Sequence, residues 1–366
     1  MKVTCNREKL REGLAIANQV VPSKSTKPVL ENVCLVATDD ALELICTDQE
    51  VSLRFRIDDV QVEEPGPVVI PGRVALDFVR DLSSEQCTLE TDDATCRIHG
   101  DGDTCELVTI DAEEFPVVSR FGEDKTLSLQ GGSFTRLVQQ TSFAAAREPG
   151  RYAMHGVLTE VETDTLRMVG TDGRRLALSE IPVDAPKALG APAIVPTKGI
   201  QLFCRVIQDP LDQVHLQFSE NQIGLRTRNA EIFARLIDGE FPRYSAVLPS
   251  ESSHHIDINR ELFTKKLRLV ANVAGDEARA VKLRVSNGSM EFFGQSAGRG
   301  EAKARMDVDF EGEDAEIAFN PDFVLDGIKQ CDLESLRLQF NERNSPGEFR
   351  LGETYRYIVM PITLEA

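Results

Sequence analysis

No apolar run in this chain approaches the roughly 20 residues that a membrane-crossing helix needs. The N-terminus, Met1-Lys2-Val3-Thr4-Cys5-Asn6-Arg7-Glu8-Lys9, is charged where a secretion signal needs its apolar segment. Both absences predict a cytoplasmic protein with no membrane association. The eight cysteines, at 5, 34, 46, 87, 96, 105, 204 and 331, form no Cys-x-x-Cys pair and have no histidine at zinc-finger spacing. They are predicted to be buried thiols rather than a disulfide framework. The adjacent His254 and His255 point to opposite faces of an extended segment, so no metal site is expected. No Gly-x-x-x-x-Gly-Lys loop is present to cradle a nucleotide phosphate, and no cofactor is expected. Positive charge is also short: 41 Lys and Arg stand against 60 Asp and Glu, a net charge of −19. Taken alone this opposes a nucleic-acid partner, because phosphates are held by cations.

What the chain does have is a repeat. Thr171 of Thr171-Asp172-Gly173-Arg174-Arg175-Leu176 lies 124 residues after Thr47 of Thr47-Asp48-Gln49-Glu50-Val51, and 124 residues before Gln295. The same step relates the polar pairs Asp39-Asp40, Thr163-Asp164 and Asn287-Gly288, each interrupting apolar residues as a hairpin turn does. Apolar runs closed by Pro71, Pro196 and Pro321 recur every 125 residues. Three landmarks in one phase indicate internal triplication, with domains at 1–120, 121–250 and 251–366 joined by polar connections at about 117–125 and 249–255.

Each repeat reads as strand, helix, several strands, strand, helix, several strands. Asn6 precedes a helix bearing Leu10, Leu14 and Ala17; Ser133 precedes Phe134, Leu137 and Val138; Asn259 precedes Phe263, Leu267 and Val270. Strands are expected over 29–36 and 153–161, among others. The second helices carry Val74, Phe78, Val79 and Leu82, then Ile200, Phe203 and Val206, then Phe323, Val324 and Ile328. The fold class is therefore α+β, three similar repeats, each with two helices packed on antiparallel sheet.

The charge is not spread evenly. The six predicted helices together carry +5, which leaves −24 on the remainder. A shared helical surface is then a local positive field in an acidic chain, and local field decides where phosphates go. Solvated outer helix faces account for the same numbers equally well.

The stretches Lys27-Pro28-Val29-Leu30-Glu31-Asn32-Val33, Gly170 to Ala177, Val195-Pro196-Thr197-Lys198-Gly199, Leu236 to Tyr244, Phe319-Asn320-Pro321 and Tyr357-Ile358-Val359-Met360-Pro361-Ile362 run through the whole chain. In that order they resemble the bacterial DNA polymerase III beta-subunit family of sliding clamps. The resemblance implies a non-catalytic accessory subunit: a head-to-tail homodimer closing a six-domain ring around double-stranded DNA, helices inside. It implies partners in the polymerase III alpha subunit, an ATP-using clamp loader and other proteins bearing a clamp-binding motif. By the same resemblance a partner-peptide pocket comprises Met154, Thr171, Gly173, Arg174, Arg175, Leu176, Pro242, Val247, Ile358, Met360, Pro361 and Ile362, with Arg174 and Arg175 at its rim. DNA contacts fall on Lys24, Arg73, Arg80, Arg147, Arg151, Tyr152 and Lys198, and the helix cations Arg205, Lys265, Lys266 and Arg268 join them. The sequence departs from the family pattern at Cys105, Ala153, Arg174 and Asn272.

Two other readings stand beside this one. An enzyme would use the acidic pairs Asp39-Asp40, Asp58-Asp59 and Asp92-Asp93, or Asp172 beside its arginines, yet Asp at turn positions is favoured for local hydrogen bonds. An acidic scaffold would share the pocket and lack the DNA-binding cations' role.

Overall fold

The computed structural model describes residues 1–92, 94–122, 126–150, 152–184, 191–275, 279–296 and 298–363. Contacts divide the chain into two compact units: Met1–Phe134 with Asp184–Leu236, and Thr135–Val183 with Ile237–Ala366. The middle repeat is thus shared between them, and hydrogen bonding is the reason. Its strand Ala230–Arg235 pairs antiparallel with Val51–Asp58 of the first repeat, placing Ala230 opposite Phe55. Its strand Arg175–Pro182 pairs with Tyr355–Val359 of the third, placing Arg175 opposite Val359. Sheets that continue across repeat boundaries tie half of the middle repeat to each neighbour.

In the first unit five strands lie in the order Gln61–Glu64, Lys2–Asn6, Gln86–Thr91, Thr95–Gly100, Asp103–Val108. Eight more run Thr126–Gln130, Gln213–Phe218, Gln222–Arg226, Ala230–Arg235, Val51–Asp58, Ala41–Thr47, Val33–Ala37, Gly66–Ile70. Val51–Asp58 alternates buried and half-buried along its length, as its sequence pattern demands. Three helices cover these strands: α1 (Arg7–Val20), α2 (Gly72–Asp81) and α4 (Thr197–Arg205), with α1 packed against both others. The Asn6 side chain accepts from the Lys9 amide at 3.1 Å and caps α1, whose Leu10, Leu14 and Ala17 are fully buried. On α2 the apolar face is Ala75, Val79 and Leu82, whereas Val74 is 50% exposed, one position off the buried stripe. Helix α3 (Gly131–Thr141) starts two residues before Ser133, so Ser133 lies inside it and is not its cap.

In the second unit the strands of one sheet run Gly156–Glu162, Thr165–Thr171, Arg175–Pro182, Tyr355–Val359, Gly347–Arg350, Ser335–Phe340, His254–Asn259. The other runs Gly300–Asp307, Ser289–Ser296, Val281–Ser286, Ala315–Phe319. Helices α5 (Arg260–Ala271) and α6 (Pro321–Ile328) are capped by Asn259 and Asn320, which accept from Leu262 and Asp322 amides at 2.9 Å each. The core beneath them is aromatic, with Phe263, Phe292, Phe319, Phe349 and Tyr357 in one buried cluster. Gly327 on α6 is held to glycine by that packing, because a Cβ there would lie 2.2 Å from the Tyr357 ring.

The three polar pairs are hairpin turns as predicted. Other boundaries differ. Pro28–Glu31 is a 3₁₀ turn, so the strand begins at Val33; the strand expected from 153 begins at Gly156; and His254 and His255, expected at the end of a connection, open the strand His254–Asn259. The connection after Pro116 is fastened down: Arg54 donates to the Val118 and Ser119 carbonyls at 3.1 and 3.3 Å, and the Phe121 amide to Glu231 at 3.1 Å. None of the eight cysteines is in a disulfide; six are buried, and Cys105 and Cys204 are half-buried.

Candidate functional site

The turn that indexes the repeat builds the site. Asp172 accepts from the amides of Arg174 and Arg175 at 2.9 and 3.0 Å, and Thr171 accepts from the Gly173 amide at 3.1 Å while donating to the Arg175 carbonyl at 2.7 Å. Gly173 sits at φ +84°, which glycine adopts without steric cost. The C-terminal strand runs alongside, Leu176 opposite Ile358, and the Met360 amide closes onto the Arg174 carbonyl at 2.8 Å. The Ile362 amide donates to the Ala318 carbonyl at 2.8 Å, fixing the tail to the second sheet. Across the gap lies the 3₁₀ turn Tyr244–Val247.

Between these pieces is a cavity of about 310 Å³. Nine of the twelve expected pocket residues line it: Met154, Thr171, Gly173, Arg175, Leu176, Pro242, Val247, Ile358 and Met360. Arg174, Pro361 and Ile362 lie outside the lining; Arg174 is exposed at the turn. Tyr152, expected at DNA, also lines this cavity, as do Arg243 and Tyr244. The last two directly follow Glu240-Phe241-Pro242 in the chain, and Tyr244 shares a 3₁₀ turn with Val247.

Arg175 is a wall and not a rim cation. Its guanidinium reaches Asp172 at 3.1 Å, Asp326 at 2.6 Å and the Phe143 carbonyl at 3.2 Å, with the Phe323 and Phe143 ring centroids at 4.7 and 5.5 Å. Its side chain is only 11% exposed. Burial opposes the charge, but the bond to Asp326 and its anionic neighbours outweigh it, so the pKa is raised and Arg175 stays ionised.

The first unit holds a second version of the same architecture. Asp48 accepts from the Glu50 and Val51 amides at 3.0 and 2.7 Å, Thr47 bonds the Val51 carbonyl at 2.8 Å, and the Arg235 amide meets the Glu50 carbonyl at 2.8 Å. Each bond has its counterpart in the other unit. The cavity there, about 370 Å³, is lined by Thr47, Gln49, Glu50, Ser52, Asn221, Gln222 and Arg235 among others. Position by position, Ser52 replaces Leu176, Phe233 replaces Ile358 and Arg235 replaces Met360. The first unit's cavity is the more polar of the two, although Val51, Pro116, Val118 and Phe233 also line it.

The cations are placed as follows. In the first unit Lys24 is exposed on the loop after α1, Arg73 and Arg80 on α2, Lys198 and Arg205 on α4. Arg80 is paired with Asp77 and Asp81 at 3.1 and 3.3 Å, and Lys198 with Asp48 at 2.5 Å. In the second unit Arg147 is exposed after α3, and α5 carries Lys265 and Arg268 exposed and Lys266 half-buried. Arg151 lies outside the described residues. Over their observed ranges the six helices still sum to +5.

Family models match three consecutive stretches: the DNA polymerase III beta subunit's N-terminal domain over residues 1–119, its central domain over 128–243 and its C-terminal domain over 245–363. Over 367 aligned residues the chain is 30% identical to the beta sliding clamp of Pseudomonas putida, covering 100% of both. The chain belongs to the DNA polymerase III beta-subunit family, the beta sliding clamps. The Escherichia coli beta sliding clamp is 28% identical over 367 residues, again with 100% of both covered. Crystal structures of the Pseudomonas aeruginosa beta subunit and the Bacillus subtilis sliding clamp superpose with TM-scores of 0.94 and 0.95, at 29% and 25% identity, each covering 100% of both chains.

This sliding clamp is a DNA replication processivity factor, a non-catalytic accessory subunit of DNA polymerase III. The acidic pairs fit that assignment. Asp40 and Asp58 bind Arg56 at 2.8 and 2.7 Å, Asp59 binds Lys9 at 3.1 Å, and Asp92 caps the Ala94 and Thr95 amides at 3.0 and 2.8 Å. Asp93 lies outside the described residues. No group of three or more potential metal ligands occurs among the described residues, and no described helix is long and apolar enough to cross a membrane.

Proposed function

We propose that the second unit's cavity is where this clamp holds its partners, and that the helix cations attend the DNA. The single observation that carries the first half is the wall of Met154, Leu176, Val247, Ile358 and Met360 around an open cavity of about 310 Å³. Such a surface accepts Leu and Phe anchors of a short extended peptide, and two methionines adapt it to more than one partner. The polymerase alpha subunit, the clamp loader and other clamp-binding-motif proteins are its ligands. Exposed Arg174 and Arg243 stand nearby to meet acidic groups of the peptide.

Lys24, Arg73, Arg80, Arg147, Arg151, Lys198, Arg205, Lys265, Lys266 and Arg268 meet phosphates without reading bases, which leaves the clamp indifferent to sequence and free to slide. Tyr152, which also lines the peptide cavity, joins them at the DNA. The domains run 1–120, 121–250 and 251–366, two chains close head to tail around the duplex, and the clamp works in the cytoplasm. Closure of the heterologous contact into a ring is what symmetry allows for two chains of three similar domains.

The test loads the protein onto nicked circular duplex and then cuts the circle. Release on cutting supports a topological hold, and retention on an unblocked linear end refutes it. In parallel, Met360→Ala is titrated with a labelled synthetic peptide carrying one Leu and one Phe. An unchanged affinity removes the cavity from consideration.

A further inference from the structure

Behind the cavity's lip, on the outward face of the adjoining sheet, one arginine gathers three carboxylates. Arg167 lies opposite Glu160 on one neighbouring strand and opposite Glu180 on the other, a single cross-strand row. Its guanidinium reaches Glu180 at 2.9 Å, Glu160 at 3.1 Å and Glu162 at 3.2 Å. Into this cluster comes one group from outside the sheet: the Tyr244 hydroxyl donates to the Glu160 carboxylate and accepts from Arg167 at 3.2 Å. Burial first, then the bond to Glu160, pushes the Tyr244 pKa up to about 12, so the phenol keeps its proton and remains a donor.

Tyr244 opens the 3₁₀ turn that ends at Val247, and both residues line the cavity. The turn is short, and its side-chain hydrogen bonds to the sheet run through that one hydroxyl among the described residues. Its backbone is held by the Ala246 amide on the Arg243 carbonyl at 3.1 Å and the Tyr244 amide on the Pro242 carbonyl at 2.7 Å. A four-residue turn supported only by local bonds opens readily; one tied to a charged cluster does not, since hydrogen bonds to ions are the strong ones. We propose that Glu160 and Arg167 are positioning residues for the peptide site: through the Tyr244 hydroxyl they hold the 244–247 lip in its binding-competent position before any partner arrives. This rests on the reading of the cavity as the peptide site. Pre-organisation of this kind raises affinity by removing the cost of ordering the lip on binding.

The experiment uses the full chain and the same labelled peptide, with backbone amide exchange measured at Ala246. Tyr244→Phe leaves the ring in the cavity and removes only the link. It is expected to weaken peptide binding about five- to tenfold and to speed Ala246 exchange by a similar factor, with the cooperative unfolding transition retained. Glu160→Gln keeps an acceptor for the phenol and should bind within about twofold of the parent, while Glu160→Ala should match Tyr244→Phe. The double variant Tyr244→Phe with Glu160→Ala should be no weaker than either single one, because one link is cut once. Parent-like peptide affinity in Tyr244→Phe, or additive losses in the double variant, overturns the proposal. If the parent chain itself fails to bind the peptide, the cavity reading falls, and unchanged Ala246 exchange in Tyr244→Phe separately refutes the latch.

Discussion

The Arg175 guanidinium lies 2.6 Å from the Asp326 carboxylate, a partner 151 residues further along the chain, and carries the Phe323 ring of the same helix at 4.7 Å. The turn of the middle repeat is thereby bolted to α6 of the third, and the cavity wall is one of the things so fixed. Asp326→Asn keeps a hydrogen-bond acceptor and should cost about 1 kcal/mol in denaturant unfolding. Arg175→Ala strands Asp172 and the Phe143 carbonyl and should cost about 2–4 kcal/mol. Near-equal losses for the two would show that Asp326 is the arginine's main support.

Peptide stoichiometry distinguishes the two cavities. Ser52 and Arg235 stand where Leu176 and Met360 stand in the other unit, so calorimetry should find one peptide bound per chain. Leu176→Ser with Met360→Arg copies the polar cavity into the apolar one and should weaken binding by about 3 kcal/mol or more, from the apolar area lost. Two peptides per parent chain would contradict this.

Charge reversal of helix cations tests the DNA reading. Lys265→Glu with Arg268→Glu on α5 should weaken direct contact with DNA, flatten the dependence of DNA binding on salt, and change all sequences alike. Lys198→Glu should do less per charge, since Lys198 is already paired with Asp48. A sequence-dependent loss in either would indicate base readout instead.

Alkaline stability follows from the buried thiols. Burial pushes the Cys34 pKa up to about 11 and the Cys96 pKa, again chiefly by burial, up to about 12. An unfolded thiol ionises at about 8.5, so the folded chain binds more protons above that pH. The contribution is whole below pH about 8.5 and is lost as pH rises towards the folded values, with a slope of up to about 1.4 kcal/mol per pH unit for each thiol. Denaturant midpoints between pH 8 and 11 read this directly, and a flat profile would refute it. Under native conditions at neutral pH, a thiol reagent should modify Cys105 and Cys204 ahead of the six buried cysteines.

Much of the fold is local and was legible in order. Asn6 and Asn259 cap helices because a side-chain oxygen two or three residues before an orphan amide reaches it regardless of what lies further away. The alternation of Val51–Asp58, the three hairpin pairs and the 124-residue echo of Thr47-Asp48 in Thr171-Asp172 are of the same kind, and the echo extends to matched hydrogen bonds. Boundaries failed where local signals compete. A 3₁₀ turn at Pro28–Glu31 took residues from a strand of suitable composition, and Val74 sits beside the buried stripe of α2 because helix rotation is set by what packs on it.

By itself the sequence determined the repeat, the α+β elements, the excess of positive charge on helices and the set of apolar residues available for a partner. Tertiary structure alone decided which of two repeated turns frames an apolar cavity, because that depends on which strand is hydrogen-bonded alongside: Ala230–Arg235 brings Arg235 to one, and Tyr355–Val359 brings Met360 to the other. It also decided that Arg175 is structural, since a guanidinium's role is fixed by the carboxylates and rings that reach it, and Asp326 and Phe323 reach it from 151 and 148 residues away.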